Sequence, residues 1–217
     1  LSSAASDVYK RQYLAPAMTQ LPELPLILSR QEIRKMIRQR RRALTPEQQQ
    51  EMGQQAATRM MTYPPVVMAH TVAVFLSFDG ELDTQPLIEQ LWRAGKRVYL
   101  PVLHPFSAGN LLFLNYHPQS ELVMNRLKIH EPKLDVRDVL PLSRLDVLIT
   151  PLVAFDEYGQ RLGMGGGFYD RTLQNWQHYK MQPVGYAHDC QLVEKLPVEE
   201  WDIPLPAVVT PSKVWEW

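Results

Sequence analysis

The first well-patterned stretch of the chain has apolar residues at helical spacing. Ile33, Met36, Ile37 and Leu44 fall at i, i+3, i+4 and i+11, one face of a 3.6-residue period, which predicts a helix over about 30–43 with one buried stripe. Ser29-Arg30-Gln31-Glu32 supplies its start as a capping box, the Ser hydroxyl accepting from the third helical N–H and Glu32 reaching back. Thr45-Pro46-Glu47-Gln48 repeats that signal with proline at the first helical position, and predicts a second helix to about Met61. Pro64-Pro65 closes this N-terminal helical hairpin. The pattern then changes to short apolar runs rich in β-formers, which predict strands over 71–77, 97–102, 111–116, 145–150, 183–187 and 207–210. Between them, helices are predicted over 85–94, capped by Asp83-Thr84 and ended at Gly95, and over 168–178 after a glycine cluster. Strands alternating with helices predict an α/β fold with a mostly parallel sheet covered on both faces. Ligands of such sheets sit at the carboxyl ends of strands, here just after Ser77, Pro101, Thr150 and Ala187.

At 217 residues the chain suits a single domain, read as 27–217. Residues 1–26 are read as an N-terminal extension, disordered in part. Residues 1–17 precede the first Met and show neither periodicity nor a signal-peptide core, so they are expected to be dispensable. The other reading of 1–17 is a natural tail with its own partner. Lys and Arg number 23 and Asp and Glu 23, so no net field draws the protein to nucleic acid or anionic lipid. No apolar run approaches the length of a membrane span. The single cysteine, Cys190, rules out an intrachain disulfide and a cysteine zinc cluster, and the cytoplasm is the expected compartment. The six histidines lack ligand spacing, and no Gly-x-Ser-x-Gly elbow occurs. A small-molecule substrate is expected, with a monomer favoured although no residue pattern fixes the oligomeric state.

Three stretches carry candidate chemistry. In Arg161-Leu162-Gly163-Met164-Gly165-Gly166-Gly167-Phe168-Tyr169-Asp170, four of the ten glycines lie within five residues. Such a loop lets backbone N–H groups approach a phosphate, and the start of the following helix favours the same charge. Phe168 takes the place of the third glycine of the dinucleotide fingerprint, and no Gly-Lys-Ser/Thr follows, so neither standard phosphate motif is present. Asp170 beside a phosphate loop calls for a cation between them, and Mg²⁺ is the natural one. The second stretch, Asp79-Gly80-Glu81-Leu82-Asp83-Thr84, follows the first strand. Asp79 suits a turn and Asp83 a cap, which leaves Glu81 free to accept from an amino-bearing heterocycle. The third is the helix over 30–42, with seven positive residues and one acid. Arg30, Arg34, Arg38 and Arg42 share a face, which reads as a solvated surface, a nucleic-acid stripe or a source of polyphosphate contacts.

Taken together, these stretches resemble the 5-formyltetrahydrofolate cyclo-ligase family over about 30–210. The resemblance rests on Phe75-Leu76-Ser77 with Glu81-Leu82-Asp83-Thr84, on Asp146-Val147-Leu148-Ile149-Thr150-Pro151 with Phe155-Asp156, and above all on 159–170. It implies a three-layer α/β sandwich and an enzyme that uses ATP and Mg²⁺ to close the formyl group of 5-formyltetrahydrofolate onto N10. The products are 5,10-methenyltetrahydrofolate, ADP and phosphate. It implies that Arg161, Leu162, Gly163, Met164, Gly165, Gly166, Gly167, Phe168 and Tyr169 bind ATP, joined by Arg30 and Arg34. Met164, Gly165, Gly166, Gly167 and Phe168 would also border the folate, together with Leu76 and Glu81. Arg34 and Arg161 take the catalytic roles and Asp170 is the Mg²⁺ ligand. Two positions depart from the family pattern: Arg30 replaces a lysine, and Pro206 stands where some members carry a second metal-binding Asp. The competing readings are a sugar-phosphate isomerase or CoA transferase of related fold, and a nucleic-acid-binding protein using the basic helix.

Overall fold

The computed structural model describes residues 27–217, so the extension read at 1–26 lies outside the described residues. Helices α1 (Arg30–Arg42) and α2 (Pro46–Thr62) both begin with the predicted capping boxes. Ser29 accepts from the Glu32 N–H at 3.2 Å, and Thr45 accepts from the Gln48 N–H at 3.2 Å. A short α3 (Pro64–Met68) leads into β1 (Thr71–Ala73), α4 (Gln85–Arg93), β2 (Arg97–Leu103) and β3 (Leu111–Tyr116). The hairpin β4 (Leu122–Met124) and β5 (His130–Pro132) precedes β6 (Val139–Leu140) and β7 (Val147–Thr150). Then come β8 (Ala154–Asp156), β9 (Arg161–Leu162), α5 (Phe168–Leu173), β10 (Gln182–Tyr186), β11 (Leu192–Val193), β12 (Ala207–Val209) and β13 (Val214–Glu216).

The main sheet has eight strands in the order β13-β12-β10-β7-β1-β2-β3-β6. The inner five pair in parallel, and β13, β3 and β6 join antiparallel at the edges. The antiparallel pairing of β3 on β2 follows from the link between them, which is too short for a crossover helix. Alternate residues of each strand face opposite layers. Val72, Val147, Ile149 and Val209 pack with Ala56, Met60, Leu87 and Leu91 of α2 and α4. Ala73, Leu148 and Val208 face Leu152, Phe155 and Leu173 on the other side. This period-two burial gives the expected helix-covered parallel sheet.

The two N-terminal helices pack in different places. α2 lies on α4, whereas α1 sits over a small second sheet of order β11-β8-β9. Ile33 and Ile37 of α1 bury against Val153, Ala154, Leu162 and Leu196, which fixes the arginine face of α1 beside the glycine loop.

Two elements are shorter than the pattern predicts. β1 ends at Ala73, because the Phe75 carbonyl accepts from Thr84 Oγ1 at 2.7 Å rather than from a neighbouring strand. The helix expected over 168–178 stops at Leu173, since Asn175 adopts φ 59°, and a separate 3₁₀ turn covers Trp176–His178.

Candidate active site

A cavity of about 650 Å³ opens at the carboxyl ends of the central strands, where the sheet geometry directs a ligand. Its size suits a drug-sized organic ligand. The glycine loop with Arg30 and Arg34 forms one wall, and Leu76 with Glu81 forms another. Arg161, Gly163, Met164, Gly165, Gly166, Gly167, Phe168, Tyr169 and Asp170 all reach this space. Leu162 does not. Its side chain is buried with Ile33 and Ile37, so its part is to anchor the loop beneath α1.

The loop is held from both sides. Arg34 Nε donates to the Gly163 carbonyl at 2.8 Å. Arg171, which the sequence reading passed over, donates from Nη1 to the carbonyls of Gly166 at 2.8 Å and Gly109 at 3.0 Å. Gly165 lies at φ 110° and Gly167 at φ 70°, conformations that side-chain-bearing residues rarely adopt. Because α5 has only six residues, its dipole is short, and an anion at this wall would be met by loop N–H groups and arginines.

Two ion pairs of alternating sign line the same end. Arg30 forks onto Asp202, at 2.5 Å from Nη1 and 3.0 Å from Nη2, which raises the Arg30 pKa and lowers that of Asp202. Arg161 is fully buried, with Nη1 at 3.6 Å from Asp170 and its guanidinium 6.0 Å from the Tyr169 ring centre. Burial pushes the Arg161 pKa down while Asp170 opposes the shift. Nε and Nη1 of Arg161 are buried without a hydrogen-bond partner, which leaves donor capacity that an anion could use. Asp202 was not among the predicted site residues; its partner Arg30 lies 172 positions away.

Mg²⁺ fits one position here. Asp170 offers a hard oxygen donor at the cavity wall, held only by a long 3.4 Å contact from the Ile203 N–H and the 3.6 Å ion pair with Arg161. Asp202 is committed to Arg30 and to the Glu199 N–H. Among the described residues no cluster of three or more potential ligand side chains exists. A single carboxylate still suits Mg²⁺, which often completes its shell with phosphate oxygens and water.

Glu81 projects from a turn in which Asp79 (φ 52°) and Gly80 (φ 75°) are both left-handed and the Glu81 N–H donates to the Phe78 carbonyl at 3.1 Å. That is type I′ geometry, which selects Asp-Gly. Arg42 binds Asp79 at 2.8 Å from outside. The Phe78 N–H donates to Glu81 Oε2 at 3.1 Å. Burial pushes the Glu81 carboxyl up to about 7, against the opposing effects of that hydrogen bond and of Arg41.

Most of the basic run over 30–42 is engaged in contacts within the protein. Arg30 and Arg34 serve the cavity, Arg41 is buried, Arg42 holds Asp79, and Arg40 donates to the Cys190 carbonyl at 3.4 Å. This leaves little of a phosphate-tracking stripe for nucleic acid. The sequence reading also missed the far wall of the cavity, where the hairpin β4–β5 contributes Leu127 and Ile129, and Trp201 closes one corner. Among the described residues no helix is long and apolar enough to cross a membrane.

Comparison with known proteins points to one family. The profile of the 5-formyltetrahydrofolate cyclo-ligase family matches residues 27–211. A 5-formyltetrahydrofolate cyclo-ligase of Haemophilus influenzae is 53% identical over 176 residues, spanning 81% of this chain and 94% of that protein. One of Mycolicibacterium smegmatis is 31% identical, spanning 85% of this chain and 95% of its own length. The NMR structure of Aquifex aeolicus 5,10-methenyltetrahydrofolate synthetase superposes with a TM-score of 0.74 at 28% identity, covering 86% of this chain and 92% of that one.

Proposed function

The chain belongs to the 5-formyltetrahydrofolate cyclo-ligase family and is a ligase, and from that premise we propose that it couples ATP to cyclisation of 5-formyltetrahydrofolate. The products are 5,10-methenyltetrahydrofolate, ADP and phosphate, and the cytoplasm is the compartment that a chain with one free cysteine suits. The observation that carries this reading is the union, in one cavity, of a phosphate-suited wall and a wall bearing a lone carboxyl, Glu81.

The chemistry needs no protein nucleophile. A formamide oxygen is a poor leaving group. Transfer of the γ-phosphoryl group of ATP to that oxygen gives an iminium phosphate. N10 then attacks the former formyl carbon, its proton is lost, and phosphate leaves with the oxygen. Loop N–H groups, Arg34 and Arg161 hold the transferring group in line and meet its charge, which is the main work of phosphoryl-transfer sites. Asp170 would hold Mg²⁺, which would supply further charge neutralisation. Glu81 accepts from the N–H groups of the pterin ring, and Leu76, Met164 and Phe168 contribute contact area around it.

The reading is tested by titrating each substrate separately into wild type and Glu81→Gln. A charged hydrogen bond contributes about 1.5–3 kcal/mol, so the variant should bind 5-formyltetrahydrofolate roughly 10- to 150-fold more weakly. Its affinity for ATP should be unchanged. Equal losses for both ligands would contradict the two-wall assignment.

The same variant carries a stability prediction. The Glu81 carboxyl titrates near 7 in the fold against a reference value of 4.5. A raised pKa stabilises the fold fully below the unfolded value, and the benefit is lost as pH rises through the folded value. The ligand-free protein should therefore lose up to about 3 kcal/mol between pH 4.5 and about 7 through this one group. Glu81→Gln should match wild type at pH 4.5 and exceed its stability at pH 8, as read by urea unfolding. A wild type as stable as the variant at pH 8 would show that Glu81 is not buried at such cost.

A further inference from the structure

Arg41 lies outside the cavity wall, yet it is the most deeply buried cation of α1, only 1% exposed. None of its three guanidinium nitrogens has a hydrogen-bond partner. Its nearest carboxylate is Asp79, at 3.7 Å, which Arg42 already binds at 2.7 Å. Helix α1 meets the elbow closely at this point: a Cβ on Gly80 would fall 3.2 Å from Arg41 Cβ and 3.3 Å from its carbonyl carbon. Leaving five buried N–H donors unpaired is costly unless another state of the protein uses them. Glu81, one residue beyond Gly80, is the group that can use them.

We propose that Arg41 is a positioning residue for the folate wall: it is the buried counter-charge that lets Glu81 hold its negative charge when a ring bearing N–H donors is bound. The assignment rests on Glu81 as the folate-gripping acid. It also accounts for the geometry. Gly80 is small and left-handed, so the elbow can sit directly on Arg41. Arg42 takes the outer face of Asp79 and leaves the inner guanidinium for Glu81.

The groups facing Glu81 allow its titration to be isolated. They are Arg41 from α1, Asp79 from its own turn, Tyr169 from α5 and His188 after β10. His188 is itself 1% exposed, and burial followed by the Arg41 charge holds its pKa down to about 4. Burial pushes the Tyr169 hydroxyl far above its ordinary value. Neither therefore titrates near neutrality, and a rise of folate affinity with pH in that range reports Glu81.

The experiment compares wild type, Arg41→Met and Arg41→Lys by the Michaelis constant for 5-formyltetrahydrofolate from pH 6 to 9, with ATP saturating. In Arg41→Met the limb set by Glu81 should move alkaline by about one pH unit. That is a substrate interaction roughly tenfold weaker at pH 6 and roughly fivefold weaker at pH 7, shrinking toward wild type at pH 9, with the Michaelis constant for ATP unchanged. Arg41→Lys keeps the charge and should keep the limb near its wild-type position. In a Glu81→Gln background, Arg41→Met should have no further effect on folate. A loss equal at every pH, or one that persists in Glu81→Gln, would overturn the proposal and leave Arg41 a packing residue. Arg41→Gln carries the same expectation if Arg41→Met does not fold. Should wild type show no turnover of 5-formyltetrahydrofolate, the functional reading has failed, and Arg41 is still tested by urea unfolding. The Glu81-dependent loss of stability should extend about one pH unit higher in Arg41→Met, and an unmoved midpoint would reject the counter-charge.

Discussion

Asp170→Asn should raise the Mg²⁺ concentration for half-maximal rate by about 30-fold or more and depress turnover at every metal concentration. A unit charge and a divalent ion about 4 Å apart interact by about 2 kcal/mol even at the dielectric of water, and by more in a cavity. Asparagine keeps the shape and one acceptor oxygen but loses that charge. The same loss removes a repulsion between the carboxylate and the phosphates of metal-free ATP. Affinity for ATP without metal should therefore hold level or improve, a sign opposite to that of general damage. Asp170 is also the nearest carboxylate to the buried Arg161, at 3.6 Å, so circular dichroism and a melting curve must accompany the rates. A Mg²⁺ titration at saturating ATP, with calorimetry of ATP in chelator, separates the effects. Unchanged midpoint and rate would make Asp170 simply the counter-ion of Arg161.

Arg161→Met should cost about 10²- to 10³-fold in kcat, the usual effect of removing one preorganised donor to developing charge. Arg161 is buried at the cavity wall, and its Nε and Nη1 make no hydrogen bond within the protein, Nη1 facing Asp170 only at 3.6 Å, so these donors have capacity left for an anion. Its charge also partly offsets that of Asp170. Removing Arg161 alone leaves the acid facing ATP with one less cation. In the double variant with Asp170→Asn the two losses should be less than additive, since each single change unbalances the other partner. Rapid-quench measurement of ADP formation isolates the step. If kcat falls less than threefold with ADP formation unslowed, Arg161 supports the loop without meeting the transferring group.

Much of this site is legible in the sequence because its signals are local. Both capping boxes, the Asp-Gly turn before Glu81 and the four glycines before Asp170 depend on neighbours within a few positions. The alternation of Val72 with Ala73, and of Val147 and Ile149 with Leu148, marks strands buried on both faces. Other features depend on partners far along the chain. Arg30 and Asp202 are 172 residues apart, and nothing near Asp202 signals a fork onto the first helix. Arg41 stands in a run of seven basic residues, and composition cannot tell the buried one from its solvated neighbours. The small sheet and the β4–β5 hairpin use strands of two or three residues, too short to show a period. Leu162 sits within the glycine-loop motif by sequence, but its side chain turns away into the contact with Ile33 and Ile37.

The most direct test of the central claim is the near-ultraviolet absorbance of the methenyl product, followed with purified protein and 5-formyltetrahydrofolate while ATP and Mg²⁺ are each supplied or withheld. The proposed coupling predicts that the chromophore grows only when all three are present, with ADP and phosphate released in equal amounts to it. Growth at the same rate without ATP, or none with the complete mixture, would contradict it.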